Sequence, residues 1–432
     1  MTEIPLVRRV RQILDQPMVA DIPAAVREQI NGSKLKSKLK PGAKVAIAVG
    51  SRGIANIKQI VFETVRAIAA LGAEPFIVGA MGTHGGGTEE GQRQILADFG
   101  ITAESMGCPV RTEMNVVEIG TNDFGATVFW DKNAFEADAV VAVNRVKAHT
   151  DFRGPIESGI VKMIVIGLGK RESAAQVHRL GCTGMTEMVP ASARVVLAKT
   201  KFALGLAILE NARDETAVIK AVEPDELFTV EPVLLEQAKG MMGRLPFDEA
   251  DVLLVGEIGK NYSGTGMDPN VIGRRYLEGE ADFPSPRITR IAALDISPES
   301  HGNSIGVGFA DLCTKRLVDD IQPGAMMLNV FTAQLLLRAK IPITLADDRT
   351  VLVKSLETCW VTPPKTPRFA FIPNTLEVAE LYVSESLAPE LRLPGGRLEI
   401  GDPEPMQWTS DHRIDQPKMF PHAKQARRLS GV

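Results

Sequence analysis

Short apolar runs that lead into glycine-containing loops constrain the fold of this chain more than any other feature. Such runs occur at residues 45–49, residues 76–78 and residues 139–143. They are typical of strands buried on both faces, as in a parallel sheet. Between the first two runs, the apolar residues have helical spacing; they are Ile57, Ile60, Val61, Val65 and Ile68. This alternation of strand and helix predicts an α/β fold with mostly parallel sheets.

The same pattern starts again at residues 250–256, where a further buried run precedes a glycine-rich loop. A chain of 432 residues is long enough for two or three domains. We therefore expect two α/β domains, residues 1–245 and residues 246–432, with the active site in the cleft between them. The first is expected to bind a cofactor, and the second to contribute substrate contacts.

The two ends of the chain are expected to differ from this pattern. Leu6, Val10 and Leu14 share one face at helical spacing, so residues 1–40 predict a helical, basic lead-in. Proline and charged residues accumulate after residue 361, and the tail after about residue 400 is expected to be partly irregular.

Composition excludes several classes of function. The chain has 49 basic and 53 acidic residues and a net charge of −4, which gives no global attraction to nucleic acid or to an anionic membrane. No run of about 18 apolar residues occurs, and the N-terminal residues lack a secretory apolar core, so we expect a cytoplasmic protein. The four cysteines lie far apart without a CxxC pair, so a thiolate zinc site is not expected.

Polar and titratable side chains follow three of the predicted strands. Ser51 and Arg52 follow the first, His84 the second and His149 the third. In open α/β sheets, ligands bind beyond the carboxyl ends of the strands. A guanidinium suits a phosphate or a carboxylate, and two imidazoles can take and return one proton. The alternative is that each histidine is a structural or solvated residue of a glycine-rich loop.

Three blocks of the sequence resemble the nickel-pincer-dependent lactate racemase family. They are residues 49–52, residues 82–90 and the segment that runs from His149 through Lys162 to His178. The resemblance covers roughly residues 40–345. In that family a lysine of a glycine-rich segment covalently holds a nicotinate-derived mononucleotide, and a histidine sixteen residues later binds its nickel. Lys162 and His178 have this spacing.

The resemblance implies a role for each of these residues. His84 and His149 correspond to the family's two acid/base histidines. Lys162 would carry the Ni(II)-pyridinium-3,5-bisthiocarboxylic acid mononucleotide, and His178 would bind its nickel. The turn that grips the cofactor phosphate corresponds to Val49, Gly50, Ser51 and Arg52. Proteins that synthesise the cofactor would be partners of the chain.

The chain departs from the family pattern in the part that contacts substrate. Val49 and Ser51 stand where the family has Asp and Thr, and three additional residues separate His149 from Lys162. In the second domain the Asp-x-Asn pattern is kept at residues 268–270, but the family's substrate-binding Gln and Lys fall near Gly273 and Tyr276. We expect the substrate-binding residues of this chain to be Lys260, Asn261 and Asn270.

The chain keeps the residues that correspond to the family's cofactor site, whereas the residues that contact substrate differ. This combination implies a racemase or epimerase of a 2-hydroxy acid, acting by proton-coupled hydride transfer. Lys260, Asn261, Arg274 and Arg275 favour an anionic substrate. One alternative is a pincer-dependent enzyme of another type, catalysing an elimination or another isomerisation. The other is a non-catalytic homologue that binds a nucleotide or anion. Such a binder would not need two acid/base histidines together with the attachment lysine and the metal ligand.

Overall fold

The computed structural model describes residues 3–51 and 53–423, which form two compact units. The first unit comprises Gln16–Met242. The second unit combines residues 3–15 with residues 243–423. The sequence predicts a change of domain near residue 245 but assigns all earlier residues to the first domain, whereas residues 3–15 lie in the second unit.

The strands are distributed over the whole described chain. In chain order they are β1 (Val7–Leu14), β2 (Lys44–Val49), β3 (Glu74–Gly79), β4 (Val110–Arg111), β5 (Val116–Thr121), β6 (Thr127–Asp131), β7 (Ala139–Arg145), β8 (Phe202–Glu210), β9 (Thr216–Val222), β10 (Glu249–Val255), β11 (Arg287–Ala293), β12 (Leu312–Thr314), β13 (Ile343–Leu345), β14 (Phe369–Ile372), β15 (Glu380–Ser384) and β16 (Gly396–Glu404).

The helices alternate with these strands. In chain order they are α1 (Ile22–Gly32), α2 (Leu35–Lys38), α3 (Ile57–Ala70), α4 (Glu89–Asp98), α5 (Ala103–Met106), α6 (Lys132–Glu136), α7 (Ile160–Lys162), α8 (Lys170–His178), α9 (Gly181–Thr183), α10 (Val189–Lys199), α11 (Leu227–Met241), α12 (Pro269–Ile272), α13 (Lys315–Asp319), α14 (Pro323–Ala333), α15 (Asp348–Thr358) and α16 (Gln416–Met419). Single π-helical turns occur at Met163–Gly167 and Gly184–Met188. None of the helices in the described ranges combines the length and the apolar character of a membrane span.

A sheet with strand order β4-β3-β2-β7-β8-β9 forms the centre of the first unit. Its first five strands are parallel, and β9 is antiparallel to β8. Alternate residues of β2 enter two different apolar clusters, with Ala46 and Ala48 in one and Ile47 in the other. The sheet is therefore buried on both faces, as the apolar runs predict.

The second unit contains a sheet with strand order β13-β12-β11-β10-β14-β15-β1-β16. The strands from β13 to β14 are parallel, and the last three strands join them in antiparallel orientation. Together the two sheets confirm the predicted α/β class with mostly parallel strands. The tail contributes to this sheet, because β16 forms its edge beyond residue 400.

The helix predicted at the start of the chain is wrong for residues 7–14, which form β1 between β15 and β16. Val7 packs in one apolar cluster and Val10 in another, because the strand is covered on both faces. The pairing with β16 also shifts register between Arg8 and Val10. This irregularity removes the two-residue alternation by which a half-buried strand is predicted.

Candidate active site

The predicted site residues of the first unit follow three neighbouring strands. Because β3, β2 and β7 are adjacent and parallel, their carboxyl ends meet at one edge of the sheet. Ser51 follows β2, His84 follows β3 and His149 follows β7. The sheet order therefore brings a hydroxyl and two imidazoles to the same edge, as the sequence predicts.

His84 is held both through its ring and through its loop. Its Nδ1 is hydrogen-bonded to Oγ of Ser51, which fixes the plane of the imidazole. The fully buried Gln92 donates from Nε2 to the carbonyl oxygen of Gly82 at 3.1 Å. Gly85 has φ of +66°, and a Cβ there would lie 2.4 Å from the backbone of Gly91, so the turn requires glycine.

The amine of Lys162 lies beside the ring of His149. The distance from Nζ of Lys162 to Nε2 of His149 is 2.7 Å. The other ring nitrogen, Nδ1, accepts a hydrogen bond of 3.1 Å from the backbone N–H of Asp151. Phe152 packs against the imidazole with ring centroids 4.3 Å apart. The expected attachment lysine and one expected acid/base histidine are therefore in direct contact.

A buried carboxylate holds the loop that carries His149. Glu157 accepts a hydrogen bond of 2.6 Å from the backbone N–H of His149 and another of 3.3 Å from that of Gly154. Its side chain is fully buried and forms an ion pair of 2.9 Å with Lys239 of α11. A buried charge requires such partners, so the loop geometry depends on this carboxylate.

Lys162 ends the short helix α7, and the π-helical turn Met163–Gly167 follows directly. The loops after β2 and β3 pack against this segment. A Cβ at Gly50 would lie 3.2 Å from Cε of Met163, and the N–H of Gly82 donates to the carbonyl oxygen of Gly167 at 3.2 Å. The turns that carry Ser51 and His84 thus lie against the segment that carries Lys162.

Glu231 of α11 holds the beginning of this segment. Its Oε2 accepts a hydrogen bond of 3.1 Å from the backbone N–H of Val161. The carboxyl group is buried, and burial raises its pKa to about 7, although the backbone N–H groups of Val161 and Ile160 oppose that rise. Helix α11 therefore stabilises both the His149 loop, through Lys239, and the Lys162 turn, through Glu231.

His178 is the last residue of α8 and lies within electrostatic range of Lys162. Burial lowers the pKa of His178, a positive charge on Lys162 would lower it further, and Asp151 opposes the change. The imidazole is therefore neutral at lower pH than an ordinary histidine. Neutral imidazole is the form that binds a metal ion.

Metal ligands are not clustered in the described part of the chain. Within residues 3–51 and 53–423, no group of three or more His, Cys, Asp and Glu side chains is arranged to hold a metal ion. The nickel site implied by the resemblance needs only one protein ligand, His178, so it does not require such a group.

Val49 and Arg52 are also expected to bind the cofactor. Val49 is the last residue of β2, and its side chain is fully buried in the apolar core. Its backbone carbonyl accepts the N–H of Ala80. Arg52 lies outside the described residues. Their roles at the cofactor phosphate, like those of Gly50 and Ser51, stay predictions.

The residues expected to bind substrate lie in the second unit and have partners there. Lys260 donates from Nζ to Oδ1 of Asn329 on α14. Oδ1 of Asn261 accepts from Ser297 at 2.6 Å, and Nδ2 of Asn270 donates to Asp268 at 2.8 Å. Their contribution to substrate binding is untested and stays a prediction.

Arg274 and Arg275, which with Lys260 and Asn261 favour an anionic substrate, each have an acidic partner in the structure. Arg274 is buried and pairs with Asp311 at 2.9 Å. Arg275 is buried and pairs with Glu280 at 3.1 Å. Both guanidinium groups therefore have structural partners within their own unit.

Residues 7–188 match the family model of the lactate racemase N-terminal domain. The chain contains a lactate racemase N-terminal domain. The family resemblance predicted from the sequence is thereby confirmed. The lactate racemase N-terminal domain spans the four residues to which the resemblance assigns chemistry, which are His84, His149, Lys162 and His178.

One solved structure similar to this chain is that of the lactate racemase apoprotein from Thermoanaerobacterium thermosaccharolyticum. The two chains are 12% identical, with a TM-score of 0.49. The similarity covers 85% of this chain and 99% of that chain. No curated relative matches this chain.

Three residues that hold the site were missed by sequence reasoning: Asn144, Glu157 and Glu231. Asn144 donates to the carbonyl oxygen of Gly159 at 2.8 Å, so it anchors the residue before α7. Only Glu231 carries a sequence signal. It lies four residues after Leu227 and three before Leu234, on the apolar face of α11, where a carboxylate needs a specific partner.

Proposed function

We propose that the chain is a racemase or epimerase of a 2-hydroxy acid that uses a nickel-pincer mononucleotide tethered to Lys162. The observation that carries this proposal is the 2.7 Å contact between Nζ of Lys162 and Nε2 of His149, with His178 in electrostatic range. The three residues to which the resemblance gives attachment, proton transfer and metal binding converge at one place.

The residues present fit this cofactor. Lys162 offers an amine for an amide-type bond, and burial favours the neutral form of His178 that a nickel ion requires. Because the turns after β2 and β3 contain glycine, their backbone packs closely against the segment that carries Lys162. When bound, the cofactor would supply the acceptor for the hydride of the substrate carbon.

The protein would supply orientation and proton transfer. His84 and His149 stand on separate loops, and each imidazole is fixed through Nδ1, which leaves Nε2 as its second ring nitrogen. One histidine takes the proton of the substrate hydroxyl as the keto acid forms, and the other returns a proton to the opposite face. Two bases suit racemisation, because each enantiomer presents its hydroxyl to a different side.

The substrate contacts complete the proposal. We assign the carboxylate of the hydroxy acid to Lys260, whose backbone N–H is fixed by Oγ of Ser300 at 2.8 Å. Asn261 and Asn270 would bind the remaining polar groups. The proposal also requires proteins that synthesise the cofactor as partners, and it needs no nucleic acid or membrane.

Expression of the chain with the cofactor-synthesis proteins tests the proposal. Intact mass should show an adduct on the wild-type protein, and Lys162→Ala should remove both the adduct and racemisation of 2-hydroxy acids. His178→Ala should keep the organic adduct and lose nickel by metal analysis. Lys199→Ala is the matched control, because Lys199 is an exposed lysine of the neighbouring α10. An adduct that persists in Lys162→Ala contradicts the proposal.

A further inference from the structure

The contact between His149 and Lys162 selects a protonation state for the lysine. The backbone N–H of Asp151 donates to Nδ1 of His149, and a ring nitrogen that accepts a hydrogen bond carries no proton. In neutral His149 the proton is therefore on Nε2, which lies 2.7 Å from Nζ of Lys162. An amine has a lone pair that can accept this N–H, whereas an ammonium group has none.

The surroundings of the ring favour this tautomer. If Nδ1 carried the proton, two N–H groups would face each other across 3.1 Å. The carboxylate of Asp151 is 3.8 Å from Nδ1, which is beyond hydrogen-bond distance. Glu157 and Phe152 fix the loop and the ring, so the imidazole cannot turn without breaking these contacts.

The charges near Lys162 also bear on its state. His178 lies within electrostatic range of both Lys162 and Asp151. The elements packed against α7 include β7, β8, α10 and α11. Their charged residues are Arg145, Arg194, Lys199, Glu210, Glu231, Glu236 and Lys239. Arg145 pairs with Glu210, and Arg194 stacks on Phe228.

We propose that His149 acts before substrate turnover, by holding Lys162 as a neutral amine and relaying the proton that this amine loses when it is acylated. The identity of the acyl donor, a pyridinium nucleotide bearing a carboxyl or thiocarboxyl group, rests on the function proposed above. Nζ forms a bond to the acyl carbon, and the bond from that carbon to its hydroxyl oxygen breaks. Nε2 of His149 gives its proton to that oxygen, which leaves as water, and takes the proton that Nζ loses.

The acylation changes the role of His149. An amide-type nitrogen has no basic lone pair, so the acylated Lys162 no longer accepts the N–H of Nε2. The N–H of Nε2 is then available to a substrate, to which His149 returns a proton. One imidazole thus serves two successive proton transfers.

Acetylation of the cofactor-free protein tests this inference. The probe is the N-hydroxysuccinimide ester of acetic acid, and the labelling rate of each lysine is followed by peptide mass spectrometry between about pH 6 and about pH 9. The exposed Lys58 serves as the internal control; the labelling rate of an amine that must first lose a proton rises about tenfold per pH unit. The rate at Lys162 should rise less than about threefold over the whole range, because its amine needs no deprotonation.

Two variants remove the proposed partner of Lys162. In His149→Phe and in the smaller, polar His149→Asn, Lys162 should regain the tenfold slope and label about 100-fold more slowly near pH 7, while Lys58 is unchanged. Circular dichroism identifies any variant that does not fold. A wild-type Lys162 with the slope of Lys58 overturns the inference, as does wild-type labelling in both folded variants.

The labelling experiment tests this inference separately from the proposed function, because acetylation of Lys162 needs no cofactor. A flat profile at Lys162 in a protein that never acquires the nucleotide adduct supports the inference and contradicts the proposed function. An adduct on Lys162 together with a steep profile overturns the inference and leaves the proposed function in place.

Discussion

Both imidazoles at the sheet edge are held through Nδ1, but by different kinds of partner. A side-chain hydroxyl, Oγ of Ser51, bonds to His84, and a backbone N–H, that of Asp151, bonds to His149. The hydroxyl can donate or accept, so His84 can take up a proton at either nitrogen. The backbone N–H can only donate, so it disfavours a proton on Nδ1 of His149. The two histidines therefore differ in the hydrogen-bonding role that is open to Nδ1.

The pKa of Glu231 gives a prediction for stability. Burial raises this pKa from 4.5 to about 7, so the folded protein binds the proton more tightly than the unfolded chain. The stabilisation is present below about pH 4.5 and is lost as pH rises towards 7. Relative to Glu231→Gln, the free energy of unfolding of the wild-type protein should fall by roughly 3 kcal/mol between about pH 4 and about pH 8.

Denaturant unfolding at a series of pH values measures this difference. Glu236→Gln is the matched control, since Glu236 is on the same helix and its side chain is 72% exposed. It should follow the wild-type pH dependence. Parallel curves for the wild-type protein and Glu231→Gln would show that Glu231 titrates alike in the folded and unfolded states.

At the level of residues, the sequence predicted the groups with reactive side chains and missed those that hold them. His84, His149 and Lys162 follow strand ends or match a motif spacing, which are local features of the chain. Glu157 and Glu231 act on backbone N–H groups; no local pattern marks Glu157, and the position of Glu231 among apolar residues signals burial without naming its partner. For Arg274 and Arg275, sequence alone does not show that each already has an acidic partner.

The segment that carries Lys162 depends on one glycine at its start. A Cβ at Gly159 would lie 2.3 Å from Oε1 of Glu231, whose carboxyl group is buried and is held through Oε2 by the N–H of Val161. We expect Gly159→Ala to displace α7, to lower the free energy of unfolding by about 1–3 kcal/mol, and to reduce cofactor attachment to Lys162.

Gly154→Ala is the matched control in the same loop. Its added Cβ would find its nearest neighbour, the carbonyl oxygen of Ile156, at an ordinary 3.5 Å. Thermal unfolding and intact mass after coexpression check both variants. Equal stability and equal adduct yield in the two would mean that the contact between Gly159 and Glu231 does not position α7.

Among the elements, those with strong local periodicity were predicted and the first strand was not. Ile57, Ile60 and Val61 are buried on α3, as their helical spacing indicates. In β1 the same spacing is accidental, since pairing on both sides and burial on both faces determine the structure. Both partners of β1 come from the far end of the chain; Arg9, for example, pairs with Glu380, 371 positions away.

The dependence of the second unit on β1 can be tested on the whole protein. Val10 is fully buried, and Val10→Asp places a charge in an apolar cluster without a partner, which costs several kcal/mol. Hydrogen exchange should then show lost protection in β15 and β16, while β2, β3 and β7 keep theirs. Arg11→Ser, at a side chain that is 55% exposed, should leave protection unchanged. Uniform loss over both sheets would mean that the units unfold together.

The position of β1 in the sheet also determines when this strand can pair during synthesis on the ribosome. The strand is made first, yet both of its neighbours, β15 and β16, are made after residue 379. At roughly 5–20 residues per second, its hydrogen-bonding groups wait some tens of seconds for their partners. During that time Gln16–Met242, which contains all of its own sheet, can fold. The charges of Arg8, Arg9 and Arg11 would meanwhile discourage the waiting segment from pairing with other nascent chains.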